Sequence, residues 1–205
     1  PTEVLSLPSK GLLYPKDNPL SSGEITIKYM TAKEEDILSN QNLIKKGLVL
    51  DKLFESIIVD NVDINDILIG DKNAIVLATR LLGYGPEYKM SFYSNVVNDV
   101  IETSVDLSAV KTKEIDLSGV NNKNEFQFVT PFGKNKIVFK LLTHGDELAI
   151  EKEILGIQKI NKDFSGDVTI RLRYMIKEVD GKSDIGAINK FINNSFLARD
   201  SKAFR

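Results

Sequence analysis

The chain changes hydrophobic period three times. "GEITIKYM" alternates, with Ile25, Ile27 and Tyr29 on one face and Thr26 and Lys28 on the other, so a strand with one buried face is predicted. Before it, "EVLSLPS" has a short alternation of its own, and "LYPKDNPLSSG" is dense in turn residues. Residues 1–30 therefore read as extended chain folded back on itself, an N-terminal β clip. The pattern next turns helical. Thr31 and Glu34 have capping-box spacing, and apolar residues recur at Leu50, Leu53, Phe54 and Ile57, then at Ala74, Ile75, Ala78, Leu81 and Leu82. "GYGPEY" ends that run, which makes 31–82 a helical segment.

Alternation returns at Tyr88, Met90 and Phe92. Two strands are predicted around "TPFGKN", with Phe126 and Phe128 on the first and Ile137, Phe139 and Leu141 on the second. The intervening stretch is weakly patterned, and strand or loop both remain open for it. Residues 87–142 read as a β-rich insertion. Over 144–205 helices are expected again. Their stripes are Ile150, Ile154 and Ile157, then Val168, Leu172, Met175 and Val179, then Ile185, Ile188, Ile192 and Phe196 behind a cap at Asp184. The β-branched start of the second stripe leaves a strand open there. A short last turn is expected with Asp200 as its cap. The fold class expected is α+β, in a single domain over 1–205.

Composition narrows the classes. The 205 residues suffice for a real core, and 42% hydrophobic with 27% charged residues is ordinary globular usage. A formal charge of -2 supplies no basic field for nucleic acid. The absence of cysteine excludes disulfides, thiolate nucleophiles and cysteine-ligated zinc. The start is polar and holds prolines, unlike a signal peptide, and "NAIVLATRLLGYG" is broken by Arg80 and too short to span a bilayer.

Candidate chemistry is sparse. His144 is the one histidine, so neither a triad nor a histidine metal site is expected, and it reads as part of a strand-to-helix turn. Glu147 and Glu151 share a helix face without the Glu-x-x-His motifs of a di-metal site. Asp60, Asp63 and Asp66 lack calcium-loop spacing and read as turn and cap residues. "GYGP" ends a helix where a phosphate loop would start one, and "PSKG" has no strand leading in and no helix following. "RLRYMIK" could meet nucleic acid, but flanking acids and a core face fit a protein partner at least as well. Catalytic residues, cofactor and metal are each expected to be none.

The opening "LPSKGLLYP", then "GEITIKYMTAKEEDIL", "DILIGDK" and "LLGYGPEY", resemble the T-even phage baseplate family. Its members are the baseplate hub subunit and the related hub-assembly protein of contractile-tailed phages. The tail "IKEVDGKSDIGAINKFINNSFLARDSKAFR" fits the same pattern, and 87–142 carries least of it. The length suits the hub subunit better than its somewhat longer relative. The resemblance implies a non-enzymatic viral tail protein, made late, that takes part in assembling the central hub in the host cytoplasm. Its implied partners are other hub proteins and the tape-measure protein, with no nucleic acid and no membrane segment. A permanent virion subunit and a transient assembly factor or chaperone both remain open, as does a homo-oligomer.

One partner surface is expected at the C-terminal end. Ile185, Ile188, Phe191, Ile192, Phe196 and Phe204 exceed what a narrow helix stripe needs. Either all pack on the chain's own core, or Phe191, Phe196 or Phe204 anchors a partner, with Arg171, Arg173, Arg199 and Arg205 as a polar rim.

Overall fold

The computed structural model describes every residue except Ile115, which lies within the segment expected to be β-rich. The protein is α+β, with helices and several small antiparallel sheets. It divides into two compact units. The first comprises Pro1–Leu12, Lys16–Ile64 and Gly70–Gly119; the second comprises Leu13–Pro15, Asn65–Ile69 and Val120–Arg205.

In the first unit, β1 (Thr2–Ser6) pairs antiparallel with β2 (Glu24–Lys28), Leu5 opposite Ile25. The alternation of β2 buries Ile25 and Ile27. Between these strands "LPSKG" forms a tight turn: Lys10 and Gly11 both take positive φ, and the amide of Lys10 donates to the Leu7 carbonyl at 2.9 Å. A Cβ on Gly11 would lie 2.3 Å from the Ser21 carbonyl oxygen, so glycine is required there. The turn is tied down at Ser9, whose amide and hydroxyl donate to Asp71 at 2.9 and 2.7 Å. Leu7 is buried in the same turn, worth roughly 1.5–3 kcal/mol. The lysine and glycine therefore serve turn geometry. Leu12, just after the turn, is exposed.

Three helices follow: α1 (Ala32–Ser39), α2 (Gln41–Lys46) and α3 (Val49–Ile57). The stripe of α3 buries Leu53, Phe54 and Ile57. Next come α4 (Ile69–Tyr84), which buries Ile75, and a long hairpin of β3 (Glu87–Ser94) and β4 (Asp99–Asp106).

In the second unit, β5 (Phe126–Val129) and β6 (Lys136–Phe139) form the hairpin expected around "TPFGKN". Helix α5 (His144–Ile160) starts on a capping box of Thr143 and Asp146. The next stretch departs from expectation. Helix α6 (Asp167–Met175) stops at Met175, and β7 (Ile176–Val179) adds to β6, Ile137 facing Val179 and Phe139 facing Ile176. The strand lies at the end of the apolar stripe, not at its β-branched start, because pairing with β6 completes a three-stranded sheet. Helix α7 (Ile185–Asn194) carries the expected cap, with Asp184 accepting the Ala187 amide at 2.8 Å. Helix α8 (Ala198–Phe204) closes the chain, and its N-cap is Leu197, not Asp200. Asp200 is buried and accepts the amides of Phe132 and Gly133, both at 2.9 Å. It thus holds the β5–β6 turn. No helix among the described residues is long and apolar enough to cross a membrane.

Candidate functional site

The C-terminal aromatics lie within the second unit's own core. Ile137, Leu172, Ile176, Val179, Ile188, Phe191 and Ile192 form one buried cluster, with Phe128, Phe139, Phe196 and Phe204 packed against it. Phe191 is only 7% exposed. Its ring stacks on Phe196 at 4.9 Å, and Phe204 meets Phe139 edge-on at 4.9 Å and Phe128 at 5.4 Å. Phe191 is thus taken up by this core, while Phe196 and Phe204 pack against it and remain partly exposed. Ile185 stands clear of it, at 71% exposed.

The four arginines do not act as one rim. Arg171 pairs with Asp167 one turn away, and Arg173 pairs with Glu153 on α5. The Arg199 guanidinium lies 4.3 Å over the Phe132 ring, and Arg205 donates to the Ser201 carbonyl at 3.3 Å. Each is held by a separate local contact.

The other sequence candidates have structural positions. His144 is buried at the start of α5, its amide donating to the Ile67 carbonyl at 2.8 Å. Asp60 accepts the Thr26 amide at 2.6 Å, and the Gly85 amide closes α4 on Leu81 at 2.9 Å. No group of three or more His, Asp or Glu among the described residues could hold a metal ion.

Unoccupied apolar surface lies elsewhere, on the β3–β4 hairpin. Its register sets Tyr88 opposite Val105, Met90 opposite Thr103 and Phe92 opposite Ile101. Cross-strand pairs share a face, so these six form one side of the ribbon. Tyr88, Met90, Phe92 and Val105 on that side remain 42–50% exposed. Ser94 and Asp99 continue that side to the tip, while the other side carries Glu87, Lys89, Ser91, Tyr93, Val100, Glu102, Ser104 and Asp106, with Tyr93 and Val100 also exposed. The tip adds Val96 and Val97, both largely exposed, where a solvated loop would be polar. Among the described residues no third strand pairs with either edge.

The hairpin's root is fixed. Arg80 on α4 donates to the carbonyls of Gly85 and Glu87 at 3.2 and 3.3 Å, with its guanidinium 4.8 Å over the Tyr84 ring and 5.8 Å from that of Tyr88. At the far end the Tyr93 hydroxyl donates to Asn98, which turns the chain at positive φ. At the exit, the Ser108 amide and hydroxyl hold the Asp106 carboxyl below its usual range. A ribbon held at its root and bare on its apolar side suits a binding role. Sequence reasoning placed Tyr88, Met90 and Phe92 on one face but did not select that face as a partner surface. The available signals were the two valines in a turn and the want of an apolar element to cover the stripe.

No family model, curated protein or solved structure matches this chain.

Proposed function

We propose that this chain is a non-enzymatic structural subunit of a multiprotein assembly, and that the assembly is the central hub of a contractile phage baseplate. The observation that carries the binding role is the bare apolar face of the β3–β4 hairpin. An isolated two-stranded hairpin is marginally stable in water, and three strands or a packed neighbour are normally needed. Tyr88, Met90, Phe92 and Val105 gain little from folding while exposed, and would be buried only when another surface covers them. The choice of assembly rests on the resemblance of the clip, the "T-x-x-E-E" helix start and the C-terminal segment to the baseplate hub family. Hydrogen bonds tie both features in place, Ser9 to Asp71 in the clip and Thr31 to Glu34 at the helix start. Its partners are then other hub proteins, with the tape-measure protein as a further one.

The test is co-expression with the other hub proteins and purification of the complex, using wild type and Phe92→Asp. Phe92 is half exposed, so the variant should melt as wild type does while failing to enter hub complexes. Normal incorporation of a folded Phe92→Asp protein would refute the hairpin's role. Assaying purified mature tails for the chain then separates the permanent subunit, which is retained, from a transient assembly factor, which is not.

A further inference from the structure

The charge on the hairpin selects its occupant. Between Glu87 and Asp106 the acids are Glu87, Asp99, Glu102 and Asp106, against Lys89 alone. The chain as a whole is nearly neutral, at -2, so the hairpin holds a local excess of negative charge. Arg80 at its root is engaged with backbone carbonyls and two tyrosine rings. Asp99, opposite Ser94, closes the tip end of the apolar side, and Glu87, Glu102 and Asp106 stand on the reverse side, within about a Debye length (~8–10 Å) of whatever covers the face.

We infer that the occupant of this face is a segment of a different protein, apolar along its centre and flanked by lysine or arginine. This rests on the reading of the hairpin as the docking surface, and not on which assembly is involved. Charge argues against a second copy: stacking two hairpins would bring two ribbons of net negative charge within about a Debye length (~8–10 Å) of each other, and like charges across an interface are costly. The face is also small: eight residues at ~3.3 Å each, two strands wide, give a footprint of about 26 by 10 Å. Stable interfaces bury about 800 Å² per partner. An occupant that covers only this face falls short of that, so the foreign segment must also pair with a free edge of the hairpin. A zwitterionic lipid surface would take the apolar face but show no preference for basic flanks.

The test uses the full chain and two synthetic peptides with one shared leucine–phenylalanine stripe, one flanked by lysine and arginine, the other by glutamate. Affinity is read by fluorescence anisotropy at low and high salt, and location by amide hydrogen exchange. The basic peptide should bind about tenfold tighter or more, protect residues 88–105, and lose its advantage in high salt. The double variant Glu87→Lys/Glu102→Lys should invert the preference, and Phe92→Asp should abolish both complexes. Equal affinities, protection elsewhere, no binding of either peptide, dimerisation of the chain through the hairpin, or tighter binding to phosphatidylcholine vesicles would each overturn the inference. Preference for the basic peptide in a chain that never enters hub complexes would remove the hub reading and leave this one standing. Hub entry without that preference would do the reverse.

Discussion

Glu34 is a fully buried carboxylate, and its surroundings keep it charged. Burial alone would raise its pKa, but the Ser56 hydroxyl at 2.5 Å, the Thr31 hydroxyl and amide at 2.7 and 2.8 Å, and the Lys28 ammonium at 3.2 Å pull it well below the usual carboxylate range. A lowered folded-state pKa adds stability that is complete above the ordinary value of 4.5 and is lost as pH falls from there toward the folded value. Glu34→Gln should therefore cost about 2–3 kcal/mol at neutral pH, with the gap to wild type closing below pH 4.5 in urea titrations. A gap independent of pH would show that the charge is not what stabilises. The Thr31–Glu34 spacing was legible in the sequence. The Ser56 and Lys28 contacts were not, because they come from α3 and β2, which tertiary packing brings to the α1 start. Gly11 gives a second test. Gly11→Ala meets backbone at 2.3 Å and should cost about 2–4 kcal/mol, whereas Gly85→Ala, also at positive φ but in open space, should cost only about 1–2 kcal/mol in the same melts.

At the scale of elements, period changes located most helices and strands, and the misses share a cause. The stripe from Val168 to Val179 fits a helix throughout, yet β6 offers an open edge and the last four residues take it as β7. Asp200 sits early in α8, where caps belong, yet its carboxylate bonds a turn far away in the chain. Neither partner can be seen from local spacing. The C-terminal rings show the same limit: their number was legible, but the inner face of the β5–β6–β7 sheet that receives them was not. Because Phe204 packs on Phe128, Phe139 and Phe196, Phe204→Ala should lower stability by about 2–4 kcal/mol in urea denaturation. A ring kept for a partner would leave the melt unchanged and weaken only assembly.

For the whole molecule, the α+β class followed from the change of period at Tyr88 and again after Leu142. Which surface is left for partners did not follow, because exposure is what remains after every other contact has formed. The C-terminal aromatics looked like surplus apolar surface and pack in or against the chain's own core, Phe196 and Phe204 only partly buried. Tyr88, Met90 and Phe92 looked like an ordinary strand stripe and are bare. The account's central claim is that the β3–β4 face is completed by another protein. Amide hydrogen exchange across residues 88–105, in the free chain and in complexes purified after co-expression with hub proteins, tests it most directly. The account predicts fast exchange in the free chain and strong protection in the complex. Slow exchange already present in the free chain, or fast exchange persisting in the complex, would contradict it.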